Sequence, residues 1–287
     1  MSELAKEISA FLSSLGDTSK SVAKQLFCDT VPGIPHIATH GRELVILGNG
    51  PSLRRNLEED MGYLRQADTL AVNFAANSPE FQLLKPKYYV LADPHFFDKA
   101  ATDPNVARLI ENLNSADFPM TLFIPAGARR QARLFNNPNV ALCCFNMMSA
   151  EGFEWFENRM MDSGRGMPRP RNVLIPSIMI GIWLGYDIIY LLGADHSWLK
   201  TLSVNDRNEV VSVQPHFYKE DEREETRVRE EYVRHPLHEV LESMMIAFKS
   251  YHVIHRYASQ RGIRIFNATP GSMIDAFPRA SLPYKVS

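Results

Sequence analysis

The chain has 287 residues, 45% of them hydrophobic, enough for one large α/β domain or for a domain with an appended subdomain. A formal net charge of -2, with both signs mixed, gives no electrostatic case for nucleic acid. The three cysteines, Cys28, Cys143 and Cys144, are odd in number and include an adjacent pair, which argues against a disulfide framework and for a reducing compartment; no CxxC pair offers a zinc site.

Residues 1–16 mix acidic and basic side chains with Leu4, Ile8, Phe11, Leu12 and Leu15 at helical spacing, so a helix is predicted there instead of a secretory signal. Its apolar stripe is expected to pack on the domain or on a partner chain in preference to a membrane. This leader, 1–41, ends in the helix-breaking run Pro32-Gly33-Ile34-Pro35. The predicted core, 42–198, opens on Leu44-Val45-Ile46-Leu47, a buried strand that runs into Gly48-Asn49-Gly50-Pro51-Ser52 and then a helix. Glycines without Cβ atoms would let backbone amides approach a ligand, and Pro51 and Ser52 suit a helix start, so a phosphate or carboxylate is the expected occupant. The dinucleotide fingerprint GxGxxG fails at Leu53, and no Gly-Lys-Ser/Thr makes a P-loop. Asn49 adds an amide able to read a sugar or base.

Further strands are predicted at Thr69–Asn73, Tyr88–Pro94, Met120–Pro125 and Val140–Phe145, with helical stretches between several of them. That alternation indicates a Rossmann-like α/β fold, a mostly parallel sheet with helices on both faces. In such sheets ligands bind at the carboxyl ends of the strands, where the Gly48–Ser52 turn, Asn73 and Asp93 would lie. Asn73 or Asp93 taken alone is as well explained as a residue that caps a following turn. Val173–Ala194 is the most apolar stretch, but Pro176, Gly181, Gly185 and Asp187 divide it into a buried helix, a turn and a strand that delivers Asp195, His196 and Ser197 to the same rim, so no transmembrane span is predicted. Residues 201–213 alternate about Asn205-Asp206-Arg207-Asn208 as a hairpin does. Pro215-His216-Phe217-Tyr218 and the charged run Lys219–Arg234 follow, and the segment 199–238 is expected to form a lid over the cleft. The remainder, 239–287, completes the core with a helix at Ser243–Gln260, stopped by Gly262, and a strand at Ile263–Ala268.

The blocks Gly48-Asn49-Gly50-Pro51-Ser52-Leu53, Asn73, Asp93-Pro94, the run from Leu184 to Asp195, and Asn267-Ala268-Thr269-Pro270 resemble bacterial sialyltransferases of the Campylobacter type. They are equally similar to a related domain family that includes archaeal hydroxymethylpterin diphosphokinases. The likeness spans about residues 43 to 278 in order and leaves the leader outside. It implies an inverting transferase that takes a nucleotide-activated donor, a CMP-sugar, without a tightly bound cofactor or metal. Gly48, Asn49, Gly50, Ser52 and Asn73 would hold the donor nucleotide, with Asn172, at the place of a family threonine, and Asp195 beside it. The matching lid segment offers His216 as base and Tyr218 as donor to the leaving phosphate, with His235 and His238 as rivals for the base.

Two positions depart from the pattern: Asp93 replaces an asparagine, and Ser197 a tyrosine. The diphosphokinase branch uses ATP with magnesium, for which Asp93 and Asp195 could supply oxygen ligands. Sugar transfer needs a phosphate cradle, a base near neutrality and donors on the departing phosphate, each of which has a candidate here. The diphosphokinase reaction asks for cations around a triphosphate, and no lysine-bearing phosphate loop is present. The expected role is therefore glycosyl transfer in cell-surface polysaccharide or lipopolysaccharide assembly in the cytoplasm, with a glycan acceptor as partner and room for attachment at the inner membrane face and for a homo-oligomer. A nucleotide-binding module without catalysis is the third reading.

Overall fold

The computed structural model describes residues 3–28, 30–37, 41–212, 217 and 232–283. The apolar runs become strands β1 Glu43–Leu47, β2 Asp68–Val72, β3 Tyr88–Val90, β4 Met120–Pro125, β5 Val140–Phe145 and β6 Ile188–Leu192, followed by the short β7 Ser203–Val204 and β8 Val210–Val211 and by β9 Arg264–Asn267. β7 and β8 pair with each other; the rest form one parallel sheet in the order β5-β4-β3-β2-β1-β6-β9. Parallel neighbours cannot be joined by tight turns, so the chain crosses over through α2 Leu53–Leu64, α3 Glu80–Leu84, α4 His95–Asp98, α5 Pro104–Asn114, α6 Glu154–Asp162, α7 Leu174–Leu184 and α8 Leu237–Ser259.

Strand alternation sorts the core into two layers. Leu44, Ile46, Leu70, Val72, Ile189 and Leu191 face α7 and α8, whereas Val45, Leu47, Tyr190 and Leu192 face α2. Ala71, Tyr89, Leu122 and Ile124 face α5 on that same second side. Helix α7 is buried along its whole length, and Gly185 (φ +93°) ends it in the left-handed cap that only glycine adopts freely. The split of Val173–Ala194 into helix, turn and strand is as expected, and no helix among the described residues is long and apolar enough to cross a membrane.

The strand order runs outward from β1 to β5 on one side and resumes at β6 on the other, so the switch point lies between β1 and β6. Several strands stop short of the expected ends. Asn73 leaves β2 at φ +51° to open the 3-10 helix Asn73–Asn77, and Gly193 leaves β6 at φ +61°. Asn73, Asp93 and Asp195 therefore stand in the loops just past the strands, still at the carboxyl edge. Helix α8 starts earlier than expected, at Leu237, because Pro236 sits at its start with extended backbone and no N–H to lose.

The leader forms α1 Glu3–Phe27, and its stripe is largely exposed, although the Phe11 ring packs 5.3 Å from that of Phe153 on the domain. Leu4, Ile8, Phe11, Leu12 and Leu15 are exposed, and within the helix only Ser21 is buried. Its polar edge adds hydrogen bonds to the body. Ser21 Oγ donates to Glu151 O (3.0 Å), Gln25 Nε2 donates to Arg165 O (3.0 Å), and Thr18 Oγ1 accepts the Phe153 N–H (3.0 Å). The hairpin is short, and Asn205 shapes its turn by accepting the Arg207 and Glu209 N–H groups on Oδ1. The middle of the expected lid, 213–216 and 218–231, lies outside the described residues, and His216 and Tyr218 lie there too.

Candidate active site at the carboxyl edge of the sheet

The glycine turn is closed by the chain itself. Gly48 N–H donates to Leu192 O (2.8 Å) and Gly50 N–H donates to Gly193 O (2.8 Å), which lashes the loop after β1 to the end of β6. A Cβ on Gly48 would press into Gly193 O, and one on Gly50 into Gly193 O and the Asp195 carboxylate. Ser52 donates through Oγ to Asp195 Oδ2 (2.7 Å) and through its N–H to Asp195 Oδ1 (3.3 Å). The expectation that the Gly48 and Gly50 amides face a ligand is thus corrected: the missing side chains admit another stretch of this backbone and its carboxylate. Burial raises the Asp195 carboxyl above its usual range, and the two Ser52 hydrogen bonds work against that shift.

Three asparagine side chains near this edge carry a buried polar atom without a partner. Asn49 Nδ2 donates to Val72 O (3.2 Å), which turns Oδ1 the other way, buried and without a partner. Asn73 Oδ1 is likewise buried and unpartnered, with the backbone held left-handed and Tyr89 Oη donating to its carbonyl. Asn172, just before α7, accepts Leu174 N–H (3.0 Å) and Tyr251 Oη–H (2.9 Å) on Oδ1, which leaves Nδ2 buried without a partner. Unsatisfied buried polar groups cost about 1–3 kcal/mol each, so they are rare without a reason. Among the described residues two others share this state, Asn56 Oδ1 and Gln131 Oε1.

Asn172 lines a cleft of ≈ 560 Å³ together with Arg171, Trp198, His235, Glu239 and Ser243. Asp93 does not join this group: it is exposed, and its carboxylate accepts His95 N–H (2.8 Å) at the start of α4, the capping role that an isolated strand-end aspartate admits. Among the described residues no three metal-ligating side chains converge. Ser197 opens the 3-10 helix Ser197–Lys200 on the same rim. Of the rival bases, His235 borders the cleft, with Nδ1 3.2 Å from Glu239 Oε2, whereas His238 is exposed and not part of that lining. Phe217, the described residue between His216 and Tyr218, is buried; its N–H donates to Asn49 O (3.0 Å), and Arg54 Nη2 donates to its carbonyl.

Sequence reasoning missed Tyr251 and placed His196 on the rim without giving it a role. His196 is buried with left-handed backbone (φ +52°), its Nε2 is 2.8 Å from Tyr251 Oη, and burial lowers its imidazole to about 4. Its place directly after Asp195 was the available signal. Tyr251 sits mid-helix in α8, where its spacing looks like that of any core aromatic.

Fold and site define a Rossmann-like α/β protein whose candidate site occupies the carboxyl edge at the β1/β6 switch point. No family model and no curated protein sequence matches the chain. Among solved structures it is similar to the MAf glycosyltransferase from Magnetospirillum magneticum AMB-1, with a TM-score of 0.50 and 13% identity over 94% of this chain and 38% of that one. At this identity the likeness is one of fold, and the chain spans well under half of that protein's length.

Proposed function

We propose that this protein is a nucleotide-sugar-dependent glycosyltransferase of the inverting, sialyltransferase-like kind, acting on a glycan acceptor in cell-surface polysaccharide or lipopolysaccharide assembly. The observation that carries the reading is the set of three asparagines, each with a buried, unpartnered polar atom, along the edge where parallel α/β sheets bind ligands. Their polarity is divided in a useful way. Asn49 and Asn73 offer acceptors, which suit the hydroxyl and amino hydrogens of a nucleoside. Asn172 offers a donor and stands next to Arg171 on the cleft, which suits phosphate or sugar oxygens. The likeness in fold to a glycosyltransferase agrees with this assignment.

In this mechanism a histidine takes the proton of the attacking acceptor hydroxyl while the sugar leaves its phosphate, and a tyrosine hydroxyl donates to the phosphate as charge builds there. His216 and Tyr218 are the proposed pair. Their shared neighbour Phe217 is hydrogen-bonded to Asn49, one of the three asparagines. His235 is the rival base, because it borders the cleft.

A thermal-shift screen of CMP, UDP, GDP and ATP, each with and without magnesium, tests the reading. A cytidine nucleotide is expected to stabilise the fold without metal, by about 2.7 kcal/mol at a hundred times its Kd. Stabilisation by ATP alone, and only with magnesium, would transfer the assignment to the diphosphokinase branch.

A further inference from the structure

We infer that His196 and Tyr251 are positioning residues that fix the Asn172 side-chain amide so that its N–H group is presented to an oxygen of the bound nucleotide. The inference rests on the glycosyl-donor reading and identifies which buried network makes one of its contacts. The proton directions follow from the partners. Leu174 N–H is only a donor, so the Asn172 atom it meets at 3.0 Å is the oxygen, and Nδ2 faces away from the helix. Tyr251 meets that same oxygen at 2.9 Å, so its hydroxyl hydrogen is spent on Asn172. Tyr251 Oη can then only accept from His196, 2.8 Å away, which assigns the imidazole hydrogen to Nε2. The imidazole is neutral because it is buried among Trp198, Phe248 and Tyr251. The chain of donors therefore runs in one direction, from His196 through Tyr251 to Asn172.

The frame around this chain is rigid. Ser250, the neighbour of Tyr251 on α8, shares its one hydroxyl hydrogen between Arg169 O (3.0 Å) and Ile246 O of its own helix (2.9 Å), so two consecutive residues of one helix touch the segment that carries Asn172. At its other end the network begins at a left-handed residue directly after Asp195, a backbone state that non-glycine residues hold only when their surroundings impose it. Packing alone would be served by phenylalanine at 251; the hydroxyl and the imidazole are needed only to set the direction of an amide whose free end has no partner within the protein.

The test is CMP titration by calorimetry on the full chain, comparing wild type with Tyr251→Phe, Asn172→Ala and the double variant, each checked for fold by near-ultraviolet circular dichroism. Tyr251→Phe and Asn172→Ala are each expected to weaken CMP about tenfold, the loss of one hydrogen bond to an ionised or strongly polar group. The double variant is expected to bind no more weakly than Asn172→Ala alone, since the tyrosine acts only through the asparagine. Should Tyr251→Phe not fold, His196→Asn, which tolerates the left-handed backbone, replaces it in the same cycle. Unchanged affinity in a folded Tyr251→Phe, or losses that add in the double variant, would overturn the positioning role while leaving the donor reading intact. Failure of wild-type protein to bind any of CMP, UDP, GDP and ATP would overturn both.

Discussion

Gly48 shows how a residue can be necessary for a reason other than the one its motif suggests. Its N–H is committed to Leu192, and the space its side chain would fill holds a backbone carbonyl, which cannot swing aside as a side chain can. Gly48→Ala should therefore destabilise the fold itself, by about 3 kcal/mol in urea denaturation, as overpacking against a fixed atom does. A variant with wild-type stability that has lost only nucleotide binding would restore the ligand-facing amide. His196 makes a second claim at this scale. In the unfolded chain it takes a proton near 6.5, and in the folded chain only near 4. Below 6.5 the unfolded state binds the extra proton, so this contribution to stability is complete above 6.5 and is lost as the pH falls towards 4, by about 3 kcal/mol in all. Denaturation of His196→Asn across that window should show a correspondingly flatter profile, and an equal slope in both proteins would contradict the buried neutral imidazole.

Among the elements, legibility in the sequence followed how local the cause is. β4 and β5 could be read to the residue: β5 is an apolar run between Asn139 and Asn146, and β4 is a mostly apolar run bounded by Pro119 and Pro125. β2 and β6 were read past their carboxyl ends: what ends them is the left-handed turn at Asn73 and Gly193, a conformation that composition permits without requiring. α1 shows the opposite limit. Its stripe announced a helix correctly, but periodicity says only that a face is apolar, and the body meets the helix at Phe11 and along the polar Thr18, Ser21 and Gln25, while most of the stripe stays exposed. The site divides in the same way. Asn49, Asn73 and Asp195 could be picked out because each follows a strand. That Asp195 fills the hollow beside Gly50, or that Tyr251 points Asn172, depends on meetings between residues far apart in the chain, which no local pattern encodes.

At the scale of the whole molecule the sheet has two ends, and the two clefts at issue lie at opposite ones. The cleft of ≈ 370 Å³ is bounded by Gly185, Tyr186, Asp187 and Ile263, residues that precede β6 and β9, so it belongs to the amino edge. There Asp162 is already engaged by Arg261 Nη2 (2.6 Å) and by the Tyr257 hydroxyl (3.0 Å), and none of the unpartnered buried atoms among the described residues belongs to its lining. The carboxyl edge holds the switch point, the left-handed Asn73 and His196, and the three buried, unpartnered asparagine atoms. Strand direction thus separates two hollows that size alone would not, because ligands of parallel α/β sheets bind beyond the carboxyl ends of the strands. Hydrogen exchange with saturating CMP should accordingly slow amides in 48–53, 73–77, 172–174 and 195–200, all within loops and first turns at that edge, while 182–187 and 261–263 exchange as in the free protein. Protection confined to the second group would move the site to the other end of the sheet and with it overturn the assignment of every asparagine named above.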